Sequence, residues 1–241
     1  MGANLLPFVP GTVGLWQLQG NMLDTSGNGI NLSIERGVET YAALPTSGGL
    51  QAFSFNGATN LLGPLAPVLA VAGEFTAQLW AYTTGAGVYT YFANEGTISG
   101  NYSLYSMYNS AGGLGNFGTS YTDQTHNAAL GTPNPPGVVI PLNELHLLSL
   151  VRTSTGGSNY VSRLWVDANL QSGGVNTTAQ TADGTERLRV GGFTGGANYT
   201  GYIASLRFVG HARTAAEIAA DANRAIGNLS YRGLNVRLRS H

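Results

Sequence analysis

The 241-residue sequence contains no cysteine. A disulfide framework and a thiolate site are therefore excluded, and the fold depends on its core or on its partners. Lysine is absent too, so all 11 basic residues are arginines. This absence fits either the composition of the genome or a preference for planar, multi-donor contacts at interfaces.

Charge is scarce. Charged residues make up 10% of the sequence, the net charge is -1 and the pI is near 6.4. The arginines are scattered singly until the end of the chain, so no surface that could follow a phosphate backbone is indicated and no nucleic-acid partner is expected. Low charge leaves little repulsion between copies, which favours a homo-oligomer.

Long apolar runs are also missing. The first ten residues have neither a basic n-region nor a continuous apolar stretch, and the apolar loop predicted at Leu61 to Ala72 is broken by Gly63, Pro64 and Pro67. A signal peptide needs a basic n-region followed by a continuous apolar stretch, and a membrane-spanning helix needs about 20 apolar residues. We therefore expect no signal peptide and no membrane insertion.

Alternating apolar and polar residues are the dominant pattern that is present. In the stretch from Phe75 to Tyr82, Phe75, Ala77, Leu79 and Ala81 share one face of a predicted strand that lies in the middle of a sheet. The same period, with turn residues between the segments, predicts about a dozen strands. Further segments with this pattern are 30–34, 53–55, 102–104, 145–147, 161–166, 188–190 and 202–208.

One helix is predicted, from Ala215 to Ile226. Thr214 is its N-cap, Glu217 completes a capping box, and Gly227 is expected to end it. The apolar stripe of this helix has the spacing of a helix that lies on a core. Its members are Ala215, Ile218, Ala219, Ala222 and Ile226.

The end of the chain alternates again. Leu234, Val236 and Leu238 fall on one side of a predicted strand, and Arg237 and Arg239 fall on the other. Such a strand could pair within the sheet of its own domain or with the edge strand of a neighbouring copy, and the sequence does not distinguish these two alternatives. We expect an N-terminal segment 1–12, one domain 13–227 and an arginine-bearing arm 228–241.

Two short motifs near the start point to a family. The sequence Gly-Leu-Trp-Gln-Leu at 14–18, followed by Asp-Thr-Ser-Gly-Asn-Gly at 24–29, resembles the opening of laminin-G-like jelly rolls. Further matches follow in the family's order at 53–57, 74–80, 164–167, 188–192, 201–208 and 213–218. The resemblance implies the concanavalin A-like lectin-glucanase superfamily. It predicts an all-β, two-sheet antiparallel jelly-roll sandwich with one short C-terminal helix and a terminal arm or strand.

The resemblance also implies a calcium site. Family members often hold calcium near this turn, which makes Asp24 and Asn28 the candidate ligands here. Ala204 and Ser205 stand where the family places acidic residues, and their lack of charge weighs against a bound calcium. The alternative is that Asp24 accepts hydrogen bonds from its own turn.

No catalytic constellation is visible in the sequence. Glycosidases on related jelly rolls need two carboxylates about 5 Å apart, and no strand carries such a motif. The four histidines are dispersed, without a nucleophile elbow or a zinc-binding pair. The nearest acidic pairs, interpreted as solvated surface, are Glu35 with Glu39, Asp183 with Glu186, and Glu217 with Asp221, the last on an exposed helix face. The sequence therefore predicts a protein that is not an enzyme.

Aromatic and amide side chains in loops suit a shallow sugar site, because aromatic faces stack on sugar rings and amides bind their hydroxyls. The candidate glycan-binding residues are Tyr121, Asn127, Asn198 and Tyr199. The alternative is that these residues are the ordinary polar surface of a β protein of low charge.

Free-standing laminin-G-like domains without signal peptides resemble virion proteins of bacteriophages. The leading hypothesis is a non-enzymatic structural protein of the virion, on the capsid or in the tail, synthesised in the host cytoplasm and bound to other virion proteins. Arg232, Arg237 and Arg239 are its candidate assembly residues. A stand-alone lectin that contacts host-surface glycans is the alternative, and a glycoside hydrolase is the weakest.

Overall fold

In the computed structural model, the described residues are 4–45, 49–66, 69, 73–85, 89–95, 103–109, 117–119, 140–157, 159–170, 175–178, 187–192 and 198–230. They form fifteen strands and one helix. The strands are β1 (Thr12–Trp16), β2 (Ser33–Arg36), β3 (Tyr41–Ala43), β4 (Gln51–Asn56), β5 (Asn60–Leu65), β6 (Phe75–Thr83), β7 (Tyr89–Glu95), β8 (Ser103–Asn109), β9 (Phe117–Thr119), β10 (Leu145–Gly156), β11 (Asn159–Val166), β12 (Asn169–Leu170), β13 (Val175–Thr178), β14 (Arg187–Val190) and β15 (Thr200–Val209). The helix is α1 (Ala215–Ser230).

The strands form two antiparallel sheets. The large sheet has the order β12-β11-β10-β6-β15-β4-β3, with β13 paired to β11 and β1 paired to the last part of β15. The small sheet has the order β2-β5-β14-β7-β8-β9. The predicted two-sheet antiparallel sandwich with one C-terminal helix is confirmed.

Strand β6 lies between β10 and β15, which confirms its predicted place in the middle of a sheet. Its inner face, with Phe75, Ala77, Leu79 and Ala81, belongs to the core between the sheets. This core also contains Trp16, whose indole Nε1 donates a hydrogen bond of 2.8 Å to the carbonyl of Ile30. The buried donor is satisfied, so the whole indole can lie in the core.

The outer face of the large sheet is covered as well. Trp80 and Tyr82, on the outer side of β6, pack with Leu5 and Leu6 of the N-terminal segment and with Ala222 of α1. Both strand faces are apolar here because each has a layer above it. Elements from both ends of the chain therefore cover one sheet.

Two expectations about local structure are wrong. Residues 61–65 of the predicted apolar loop belong to strand β5, and their apolar character is explained by Leu61, which lies in the core. The helix does not end at Gly227 but continues to Ser230. A glycine inside a helix costs about 1 kcal/mol and does not forbid the next turn.

Among the described residues, no helix is long and apolar enough to cross a membrane.

Candidate functional site

The turn that suggested calcium is built around Asp24. One carboxylate oxygen, Oδ1, accepts hydrogen bonds from the backbone N–H groups of Leu15 (3.0 Å) and Ser26 (2.8 Å). The other, Oδ2, accepts from the N–H of Ile30 (3.0 Å) and the hydroxyl of Ser26 (2.8 Å). Both oxygens are thus used by donors of the protein itself, as the alternative interpretation of this turn expected.

The same turn covers the free edge of β1. The amide of Asn28 donates to the carbonyl of Val13 (2.9 Å), and the N–H of Thr25 donates to the carbonyl of Leu15 (2.7 Å). With the Asp24 bond to the Leu15 N–H, these contacts satisfy backbone groups that an edge strand leaves unpaired. Asp24 and Asn28 hold the edge of a sheet, and calcium at this turn stays a prediction.

A second polar cluster lies at one end of the sandwich, where β4, β6 and β14 end and β5, β10 and β15 begin. We call this end the loop end. Here the carboxamide oxygen of Asn56 accepts hydrogen bonds from the N–H of Ala58 (2.9 Å) and the hydroxyl of Thr59 (3.1 Å). Amide and hydroxyl groups therefore gather where strands turn.

Asn198, a predicted glycan-binding residue, belongs to the loop end and is half-buried. Its side-chain oxygen lies 3.2 Å from the amide nitrogen of Asn60 in the orientation that satisfies Asn60, whose amide then also donates to the carbonyl of Gly191 (3.1 Å). Asn60 is 1% exposed and Asn198 is more open. Asn198 is thus the member of this pair that a ligand could contact.

Tyr199 is not available to a ligand. The residue is 0% exposed, and its ring packs against the rings of Tyr91 and Phe55, with centroids 5.0 and 5.6 Å away. Its hydroxyl lies 3.3 Å from the hydroxyl of Thr83. A side chain this buried offers no face to a sugar ring, so the prediction of Tyr199 as a glycan-stacking residue is wrong.

The other predicted site residues, Tyr121 and Asn127 for glycans and Arg232, Arg237 and Arg239 for assembly, lie outside the described residues.

A third cluster was missed by the sequence reasoning, which treated the histidines as dispersed. The imidazole Nδ1 of His146 lies 2.5 Å from Oδ2 of Asp167, whose Oδ1 accepts a hydrogen bond of 2.8 Å from the N–H of Leu147. The carboxylate Oε2 of Glu144 lies 3.7 Å from Nε2 of His146. Glu144 and His146 are two residues apart at the start of β10, a spacing that would have placed them on one face.

Backbone strain surrounds this cluster. The non-glycine residues with positive φ in the described part of the chain are Asn143 (61°), Asp167 (48°) and Ala168 (72°). Asp167 and Ala168 form the two-residue turn between β11 and β12, where a primed turn needs positive φ at both positions. The left-handed conformation costs an L-residue about 1–2 kcal/mol.

Acidic side chains elsewhere are held in structural contacts. Asp221 of α1, expected on an exposed helix face, is 3% exposed and binds both Arg207 and Arg213. This expectation is wrong because the arginines lie on the sheet side of the helix. Arg207, which also donates to Gln78 and to the carbonyl of Pro7 (2.7 Å), ties the helix and the N-terminal segment to β15.

Two further carboxylates are committed in the same way. The Arg189 guanidinium donates two hydrogen bonds to Glu35, of 2.5 and 2.6 Å, and so lowers the pKa of Glu35. Glu217 receives hydrogen bonds from the N–H (2.8 Å) and the hydroxyl (2.9 Å) of Thr214, which lower its pKa and form the predicted capping box. Asp183 and Glu186 lie outside the described residues.

Two packed antiparallel sheets with this strand order define a concanavalin A-like sandwich. The family model described as the concanavalin A-like lectin/glucanases superfamily, of the laminin-G type, matches residues 54–219, more than half of the chain. The chain belongs to this laminin-G-like family, which confirms the resemblance in the motifs. No curated protein matches the chain in sequence.

Solved structures show the same fold. Domain 4 of AbnA, an extracellular arabinanase from Geobacillus stearothermophilus solved with arabinotriose, is similar at 15% identity and a TM-score of 0.64, over 88% of this chain and 98% of that chain. The receptor-binding domain of a botulinum neurotoxin C/D mosaic is similar at 11% identity and a TM-score of 0.62, over 88% of this chain and 51% of that chain. Trypanosoma rangeli sialidase with the inhibitor DANA is similar at 14% identity and a TM-score of 0.64, over 90% of this chain and 33% of that chain.

The chain thus spans about half of the neurotoxin domain and a third of the sialidase. At these identities the likeness shows the fold alone, and a fold of this kind carries many functions.

Proposed function

We propose that the chain is a non-enzymatic, lectin-like domain that contacts glycans and serves as a structural subunit of a bacteriophage virion, on the capsid or in the tail. The observation that carries the glycan part is the match to the arabinanase domain. That protein was solved with arabinotriose, and the match covers 98% of its chain. The fold of this chain is therefore similar to the whole of a domain that was solved with a sugar, and this similarity supports the proposal.

The loop end supports a glycan contact. Sugar hydroxyls are bound by amides and hydroxyls placed at a concave or open surface, and the exposed Asn56 and the half-buried Asn198 supply amides there. Asn198 is the described candidate that is both polar and partly open. Weak single sites of this kind gain strength when several copies bind together.

The state of the carboxylates supports a non-enzymatic role. A glycosidase needs one carboxylic acid and one carboxylate directed at the substrate. Among the described residues, Asp24, Glu35 and Asp221 instead accept hydrogen bonds from the protein's own backbone or arginines. Their negative charge is used to hold the fold.

The composition supports the role in a virion. Charged residues are 10% of the sequence and lysine is absent, which suits a subunit with permanent neighbours. The arm with Arg232, Arg237 and Arg239 would contact a second copy or another virion protein. Synthesis in the host cytoplasm and assembly into the virion follow from this proposal.

Glycan binding is tested on a glycan array with the full-length protein, followed by titration of the best ligand. Asn198→Ala should weaken binding about tenfold, a loss of about 1.4 kcal/mol, and Gln51→Ala, an exposed change on β4, should not. If no glycan binds the unaltered protein, the glycan part fails. If mass spectrometry detects a cleaved sugar, the non-enzymatic part fails.

Assembly is tested by light scattering of the unaltered protein and of the triple variant Arg232→Gln, Arg237→Gln, Arg239→Gln, each with and without a calcium chelator. A trimer or larger assembly that falls to a monomer in the variant supports the subunit role. A monomer in both samples contradicts it, and together with glycan binding would favour the stand-alone lectin.

A further inference from the structure

His146 has one side of its ring already held by a carboxylate. Nδ1 lies 2.5 Å from Asp167, and Asp167 is itself fixed by the N–H of Leu147. The tautomer that carries its proton on Nδ1 donates this hydrogen bond to Asp167 and has its lone pair on Nε2. Histidines that bind metal ions in proteins are oriented in this way.

Among the described residues, the other side of the ring has no hydrogen-bond partner. The side chain of His146 is 9% exposed, and no described residue forms a hydrogen bond with Nε2. Oε2 of Glu144 lies 3.7 Å from Nε2, which is too far for a hydrogen bond. A buried polar nitrogen without a hydrogen bond is destabilising, so this one requires an explanation.

We propose that His146 Nε2 and the carboxylate of Glu144 bind a divalent transition-metal ion, with Asp167 as the positioning residue that orients the imidazole. Two bonds of about 2.1 Å each reach across at most about 4 Å, so one ion can contact both atoms at their present separation. Asn143, Asp167 and Ala168, which are adjacent to these groups or among them, have positive φ, and such conformations are often found at functional sites.

The ligand types select the class of ion. Imidazole nitrogen with one carboxylate suits zinc, nickel or copper. Calcium and magnesium prefer sites made entirely of oxygen. The site is therefore distinct in chemistry and in position from the turn at Asp24.

The coordination is open. The described residues supply two ligands, His146 and Glu144, and no group of three or more candidate ligands is present among them. Water or an outside group would take the other positions. Such a site exchanges its ion and can bind a further ligand, unlike the closed four-ligand sites that hold folds together.

The test is calorimetric titration of the full-length protein with zinc chloride, with cobalt chloride absorption as a second reading. One saturable site is expected. His146→Gln should abolish it, Glu144→Gln should weaken it at least tenfold, and Asp167→Asn should weaken it about 10–100-fold. The matched control is His211→Gln, because His211 is remote from the cluster and half-buried, and zinc binding should be unchanged.

Glu144→Gln keeps the test decisive if the buried His146 variant does not fold, because the Glu144 side chain is 47% exposed. Absence of zinc binding in the unaltered protein overturns the proposal. Zinc affinity that is unchanged in Glu144→Gln, or in a folded His146→Gln, also overturns it, since the ion would then lie at another site.

Discussion

Arg207 of β15 and Asp221 of α1 form an ion pair that is closed off from solvent, with side-chain exposures of 0% and 4%. Burial lowers the pKa of Arg207, and the adjacent carboxylate opposes this shift. Arg213 adds a second contact to Asp221 at 3.0 Å. The carboxylate thus neutralises two arginines beneath the helix.

Removing that carboxylate should destabilise the protein strongly. Asp221→Asn leaves the buried Arg207 without its counter-charge and leaves Arg213 with Glu217 alone, at 3.6 Å. We expect the free energy of unfolding to fall by about 3–5 kcal/mol. Urea unfolding followed by tryptophan fluorescence measures this change. Gln51→Ala, at an exposed position of β4, is the control. A loss below about 1 kcal/mol would show that water reaches the arginines.

The strained turn after β11 predicts a stabilising substitution. Ala168 has a φ of 72°, where an L-residue pays about 1–2 kcal/mol and glycine does not. Ala168→Gly should raise the free energy of unfolding by about 0.5–1 kcal/mol, after the entropic cost of glycine. Ala216→Gly in the exposed face of α1 should lower it by about 1 kcal/mol. Equal losses in both variants would argue against the turn geometry.

Asp24 should matter for stability with or without calcium. Its carboxylate accepts hydrogen bonds from Leu15, Ser26 and Ile30, and Asp24→Ala should cost about 2–4 kcal/mol, since a bond to a charged group contributes about 1.5–3 kcal/mol. Thermal unfolding in calcium chloride and in chelator should give the same loss. A loss confined to the calcium sample would favour the metal site.

The pair of Glu35 and Arg189 predicts an acid-dependent contribution. The pKa of Glu35 lies below its ordinary value of 4.5, so its stabilisation is present above pH 4.5 and is lost as the pH falls through the lowered value. Glu35→Gln should cost about 0.5–1 kcal/mol at pH 7 and close to nothing at pH 2. Urea unfolding at both pH values tests this. A cost that does not change with pH would assign the effect to packing.

The local features of the fold could be predicted from the sequence. The alternating pattern of β6 and the capping box formed by Thr214 and Glu217 each involve only a few neighbouring residues. Both are present in the structure. The order of strands was available only through the family motifs. The partner of a strand such as β1 lies about 190 residues away in β15, and alternation alone does not encode that pairing.

The sites were less predictable, because they depend on which side chains the fold buries. Tyr199 and Asp221 are polar residues that the sequence placed at the surface, yet both are satisfied inside the protein. The contact between His146 and Asp167 can be predicted only when the register of β10 against β11 is known. The two-residue spacing of Glu144 and His146 was the signal in the sequence that could have indicated this cluster.

The pairing of β1 with β15 also has a consequence for the order of events during synthesis. Residues 12–16 are synthesised about 190 residues before their partners at 206–209. Domains dominated by such distant contacts fold slowly and expose apolar surface while they wait. Leu5 and Leu6 have to remain without their covering helix until α1 is complete. A nascent chain stalled before residue 206 should therefore depend on chaperones more than a chain in which α1 has been synthesised.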